Sequence, residues 1–148
     1  MSEQLFSVHR QLAMDSIALG SFELCQLRLI NDCQYPWFIL IPQRTNIQEI
    51  YQLTTQDQSL LIKESSFLAE QLARLFKADK LNIAAIGNVV PQLHLHHVVR
   101  YQTDIAWPKP IWGLSSMQAY SATLLEQRIE EVKQQLGPAL NPPEKTSD

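Results

Sequence analysis

Three of the four histidines, His94, His96 and His97, fall in the segment Gln92-Leu93-His94-Leu95-His96-His97-Val98-Val99-Arg100. A neutral imidazole near pH 7 is a good nucleophile and proton carrier, and its cation stabilises anionic oxygen. If the segment is extended, its side chains alternate between two faces. Gln92, His94, His96, Val98 and Arg100 then share one face, and Leu93, Leu95, His97 and Val99 the other. The first face lines up an amide, two imidazoles and a guanidinium at intervals of roughly 6.5–7 Å along the strand. Such a row suits a phosphoryl group: one histidine attacks phosphorus while its neighbours stabilise charge on the non-bridging oxygens. Histidines at i and i+2 can also ligate zinc. That needs a third ligand, which His9, Cys25, an Asp or a Glu could supply only through the fold. His97 points to the apolar side and reads as a core or interface histidine.

The elements that must position this row follow from periodicity. Residues 5–14 suit a short helix and Asp15 to Gly20 a turn. Ser21 to Ile30 alternates and reads as a strand. Asn31 to Pro36 is a turn. The apolar run Trp37 to Ile41, ended by Pro42, suits a strand buried on both faces and close enough to the previous one to pair antiparallel. Thr54 is a candidate N-cap with Asp57 at the reciprocal position, opening a long helix striped by Leu61, Leu68, Leu72 and Leu75 and ending near Asp79. Leu81 to Ile86 and Gln92 to Tyr101 are strands, joined by a turn at Gly87 to Pro91. Asp104 to Gly113 is a structured loop. A last helix runs from about Ser121 to Leu136, where Gly137-Pro138 stops it. Strands and helices do not alternate regularly, so the fold class expected is α+β, a mainly antiparallel sheet with helices packed on it.

The bulk numbers agree with one domain. The chain has 148 residues, 45% of them hydrophobic and 18% charged, enough for a packed core without staples. The domain is placed at residues 1–137, with 138–148 a disordered Pro- and charge-rich tail. A net charge of -3 argues against a broad nucleic-acid surface. Cys25 and Cys33 form no metal-binding pair and read as reduced thiols. No apolar run reaches the 18 or so residues of a membrane span, and Met1-Ser2-Glu3-Gln4 does not open a signal peptide. The location expected is cytoplasmic, with no nucleic-acid or membrane partner.

The stretch Gly87-Asn88-Val89-Val90-Pro91-Gln92-Leu93-His94-Leu95-His96-His97-Val98-Val99-Arg100 resembles the histidine-triad (HIT) family. That family's signature is His-x-His-x-His and two apolar residues, often then Pro-Arg, usually preceded by Gly-Gln-Ser/Thr-Val. In register, Gln92 takes the first histidine's place, His94 the middle one and His96 the last. Arg100 matches the trailing arginine and Gly87-Asn88 the Gly-Gln. Leu29-Ile30-Asn31 resembles the family's strand end with its ligand-contacting Asn, and Phe38 to Pro42 the strand after it. The resemblance spans about residues 20–101. Three positions depart from the pattern. Gln92 supplies a hydrogen bond but no charge. Val89 stands where a hydroxyl is usual, and Tyr35-Pro36-Trp37 where many members have Pro-Gly-His.

The resemblance implies a HIT-like fold, a homodimer, and a nucleotide-type small molecule as substrate. It implies hydrolysis or nucleotidyl transfer at the α-phosphate through a nucleotidyl-histidine intermediate, with nucleoside phosphoramidates or dinucleoside polyphosphates as substrates. His94 is then the nucleophile, its ring aimed by a backbone carbonyl, and His96 contacts the phosphate and leaving group. Gln92 is a substitute donor, and Asn88 and Asn31 are further ligand contacts. No metal and no cofactor is expected. The departures favour one alternative, a HIT-like module that binds nucleotide without chemistry. Trp107 and Trp112, in a Pro-rigid loop, read first as a packed surface loop or dimer contact and second as a stacking lid. Lys109 between them is a candidate source of the charge that Gln92 lacks.

Overall fold

A computed structural model describes residues 5–144; Met1 to Gln4, the segment that does not read as a signal peptide, and residues 145–148 lie outside them. Five strands form one antiparallel sheet in the order β1-β2-β3-β5-β4, with β1 Ser16–Ser21, β2 Cys25–Ile30, β3 Trp37–Pro42, β4 Lys80–Ala84 and β5 Leu95–Arg100. A short helix α1 (Arg10–Asp15) precedes β1. The long helix α2 (Thr55–Phe76) joins β3 to β4, and α3 (Ala122–Leu136) follows β5. The α+β architecture with its antiparallel sheet is as expected.

Alternation along the strands divides the core into two layers. Leu27, Leu29, Phe38, Leu40, Leu95 and Val99 face α2 and α3 and pack with Leu61, Leu68, Leu72, Val132 and Leu136. Ile30, Ile39 and Ile41 face the other way, against Leu12 of α1 and Val90. Beside them Val98 packs with Tyr35, Ala106 and Ile111. The sheet is thus covered twice, and β3 is apolar throughout because both of its faces are buried. Thr54 caps α2 by accepting the N–H of Asp57, 3.1 Å, while the Asp57 carboxylate pairs with Arg44, 2.8 Å. Glu64, buried on α2, accepts the N–H groups of Leu24 and Cys25 and ties the helix to the start of β2.

Several boundaries differ from the sequence reading. Asp15 to Gly20 is not a turn: Ser16, Ile17 and Ala18 pair with Ile30, Leu29 and Arg28, and a bulge follows between Ala18 and Gly20. Small residues at Ser16, Ala18 and Gly20 hide the alternation. The strand placed at Ser21 starts at Cys25, because Phe22 N–H bonds the Cys25 carbonyl in a tight reversal. The helix α2 stops at Phe76, where Lys77 adopts a left-handed conformation with φ 51°. The regular ladder of the histidine strand begins only at Leu95, so Gln92 and His94 lie just before it. Of the tail, Gly137–Ala139 makes a 3-10 turn, and Asn141 exchanges main-chain hydrogen bonds with Ser21, both 2.9 Å.

Candidate active site

Pro91 has no N–H to give, and Leu93 N–H bonds Ile47 in a loop, 2.9 Å, before β5 pairs with β3. The Gln92 carbonyl therefore stays outside the ladder and meets His94 Nδ1 at 2.7 Å. A carbonyl only accepts, so the proton sits on Nδ1 and the lone pair of Nε2 is free. Burial holds His94 below the ordinary imidazole pKa of 6.5; the Gln92 carbonyl opposes this and nearby His9 adds to it. His94 is thus neutral near pH 7, with its lone pair on Nε2.

His96 sits on β5 between Ile39 and Ala84, with its ring centroid 4.8 Å from that of His94. The Trp37 indole N–H donates to His96 Nδ1 at 2.9 Å. An indole only donates, so Nδ1 carries the lone pair and Nε2 carries the hydrogen. Burial first, then the neighbouring His94 and His97, push the pKa of His96 down to about 3. Two adjacent histidines are therefore set in opposite tautomers, one with a free lone pair and one with a free N–H.

The pair opens on a cleft of about 470 Å³. Gln11, Leu12 and Asp15 of α1 form one wall, Trp37 and Trp112 another, and Gly87 to Val90 the rim, with Ile30 and Met117 beyond. Gly87 turns the rim with φ 65°, in the left-handed region that glycine tolerates. The lining is largely apolar and includes one carboxylate, Asp15, and, among the described residues, neither Lys nor Arg. Among those residues no three His, Cys, Asp or Glu side chains gather to hold a metal ion.

The remaining sequence-selected residues part company here. Asn88 and Val89 reach the cleft. Asn31 follows β2, its Oδ1 accepting the Tyr120 N–H, 3.0 Å, and does not line the cleft. Gln92 turns its amide to the N-terminal segment: Oε1 accepts the His9 N–H at 2.8 Å and Nε2 donates to the Ser7 carbonyl at 2.9 Å. Arg100 shares the histidine face but is 1% exposed. Its guanidinium binds Asp104 through two hydrogen bonds and Asn82 through a third, so it is spent inside the protein. Lys109 is exposed and away from the cleft. The two tryptophans have different fates. Trp107 lies under Arg100, whose Cζ is 5.6 Å from the indole centroid, whereas Trp112 lies edge-on to His96 at 5.3 Å.

Five contributing residues are missed by the sequence reading. Trp37 reads in the sequence as a strand residue standing where many members have histidine, yet its N–H donates to His96. Gln11 and Asp15 arrive from a helix with no motif. Asp104 accepts the N–H groups of Tyr101, Ala106 and Trp107 besides binding Arg100, and so shapes the loop that carries Trp112. Ser65 meets the buried His97 at 2.7 Å. The spacing of Asp104, four residues after Arg100, was the one local signal available.

Comparison with known proteins agrees with this architecture. The family model described as HIT domain matches residues 11–103. A histidine triad protein from Marinobacter aquaeolei is 47% identical, with 93% of this chain and 97% of that one covered and a TM-score of 0.83. Another from Bradyrhizobium japonicum is 38% identical over 90% of this chain and 100% of that one, TM-score 0.88. A third, from Sinorhizobium meliloti, is 37% identical over 88% and 97%, TM-score 0.86. No curated protein matches the chain significantly. With a family match over most of the sheet and these three relatives alike over nearly their whole length, the chain belongs to the histidine-triad (HIT) family.

Proposed function

We propose that the protein is a nucleotide hydrolase or nucleotidyl transferase of the HIT type, acting at the α-phosphate through His94. The observation that carries this reading is the hydrogen bond from His94 Nδ1 to the Gln92 carbonyl, which leaves Nε2 as a neutral, aimed nucleophile. Its lone pair forms a bond to phosphorus while the bond to the leaving group breaks, and the electron pair departs with that group, which takes a proton from solvent. Water then attacks phosphorus, releases a proton to solvent and frees His94. In this reading His96 Nε2–H and Asn88, which line the cleft, bind phosphoryl oxygens. A single negative phosphoryl group suits a cleft that has no lysine or arginine among the described residues, and a polyphosphate chain does not. Nucleoside phosphoramidates are therefore preferred over dinucleoside polyphosphates. The same reading makes the protein a cytoplasmic homodimer, which fractionation and sedimentation test.

The test is turnover of a nucleoside 5′-phosphoramidate. His94→Ala lowers kcat/KM by at least about a thousandfold, and acid-labile nucleotidyl adduct on the wild-type protein maps to His94. Full activity in the variant refutes the assignment. A second reading, nucleotide binding without chemistry, is favoured by one observation: the Gln92 amide gives its oxygen and one Nε2–H to the N-terminal segment, leaving at most a single N–H for a phosphate. Calorimetric binding of nucleoside monophosphate without turnover or adduct would select it.

A further inference from the structure

We infer that Trp37 is a positioning residue that makes His96 a permanent hydrogen-bond donor and takes it out of acid–base chemistry. The inference rests on the proposed phosphoryl chemistry for its consequence, though not for its geometry.

The Trp37 ring is held in place on three sides. It begins β3 opposite Val98, stands edge-on to Trp112 at 6.4 Å, and lies 5.6 Å from the His96 ring. Its N–H then has one partner, His96 Nδ1, at 2.9 Å. A histidine or a water at that place can donate or accept, and so can follow a change of proton on His96. An indole has no lone pair to offer and does not give up its hydrogen near neutral pH. The Nδ1 atom of His96 is thereby occupied in one sense only.

Two consequences follow for the site. His96 lines the cleft beside His94, and the N–H left to it, on Nε2, can bind a phosphoryl oxygen without first choosing a tautomer. The same lock bars proton release. Giving up Nε2–H would leave an imidazolate, because Trp37 cannot supply Nδ1 with a replacement proton. A leaving group must then draw its proton from water or bring it on the substrate. That fits a phosphoramidate, whose leaving nitrogen becomes amine-like as the P–N bond breaks, keeps the P–N electron pair and takes its proton from water.

The test uses the intact protein labelled with 15N-imidazole, with His96→Gln to assign the signal. The result expected in the wild type is one tautomer, with hydrogen on Nε2 and none on Nδ1, unchanged from pH 5.5 to 8. Trp37→Phe keeps the apolar ring and deletes the N–H. It should show a mixture of tautomers and a kcat about tenfold lower, with KM for the phosphoramidate altered less. Hydrogen on Nδ1 of His96 in the wild type overturns the inference. So does a Trp37→Phe protein that keeps a pure Nε2–H tautomer. The tautomer measurement needs no turnover, so an inactive protein refutes the proposed reaction while leaving this arm decisive.

Discussion

Gln92 binds His9 as one peptide group binds another. Its side-chain amide accepts the His9 N–H and donates to the Ser7 carbonyl, at 2.8 and 2.9 Å, the two-point contact a strand neighbour would make. The N-terminal segment is thereby led across the sheet, and α1 becomes a wall of the cleft. A neutral imidazole has its donor and acceptor on different sides of the ring, so a histidine at position 92 cannot make both bonds side by side. Gln92→Ala should cost about 1–2 kcal/mol, two exposed hydrogen bonds at the low end of their usual worth. It should speed amide exchange at His9, and Gln92→His should not restore protection. Unchanged exchange at His9 in both variants would show that the clamp does not hold the segment.

The fold was legible wherever apolar spacing was regular. The stripe on α2, the apolar β3 and the Gly137-Pro138 stop are local signals with one physical reading. The site was legible only in part. His94 and His96 share a face as alternation requires, but what each ring does depends on partners far away in the chain. Trp37 is 59 residues from His96, and Gln92 is 83 from His9. Arg100 shows the limit from the other side. Its parity was right and its role was not, because alternation says which way a side chain points and not what covers it. Here the loop carrying Asp104 covers it. The small residues of β1 gave no alternation to read at all.

The Arg100–Asp104 pair has side chains 1% and 5% exposed. Burial raises the Asp104 pKa, but the Arg100 guanidinium and the N–H groups of Tyr101 and Trp107 more than offset this and hold it below its usual value. Breaking such a pair strands a buried charge, at about 3–5 kcal/mol. Asp104→Ala should lose about that much stability by urea denaturation. The loop should also loosen around Trp112, red-shifting tryptophan emission even in the folded protein. A variant with wild-type stability would show that the pair is not a structural anchor.

His97 predicts a pH dependence of stability. Its Nδ1 faces the Leu95 carbonyl at 3.1 Å and its Nε2 the Ser65 hydroxyl at 2.7 Å, a fully buried neutral ring. Burial pushes its pKa down to about 4, and that of His96 to about 3. The unfolded chain protonates these rings near pH 6.5 and the folded chain does not until much lower. Between those limits the unfolded state binds more protons, so stability rises with pH. It is complete above about pH 6.5 and falls as pH drops toward 4, each unit of separation being about 1.4 kcal/mol. His97→Asn should flatten the slope of denaturation free energy against pH between 6.5 and 4, whatever its cost at pH 7. An unaltered slope would assign the acid sensitivity elsewhere.

Gly20 lies where the chain after α3 returns to the sheet. A Cβ built there would meet the Asn141 carbonyl oxygen at 2.1 Å and a Leu140 side-chain carbon at 2.9 Å. The first of these is backbone, so it cannot swing aside as a flexible side chain would. Alanine at position 20 must therefore push residues 140 and 141 off the edge of β1. That breaks the paired hydrogen bonds between Ser21 and Asn141 and withdraws Leu140 from the core layer it joins. Two hydrogen bonds and part of a leucine are together worth about 2–4 kcal/mol. Gly20→Ala should lower the unfolding free energy by that amount and raise amide exchange at Ser21 and Asn141. Exchange at His9 should stay unaltered, because α1 is held through Gln92 and not through this edge. Deleting residues 140–148 should cost a similar amount and make Gly20→Ala nearly neutral in that background. If the substitution destabilises the truncated chain as much as the full one, its cost comes from β1 itself and not from the returning segment.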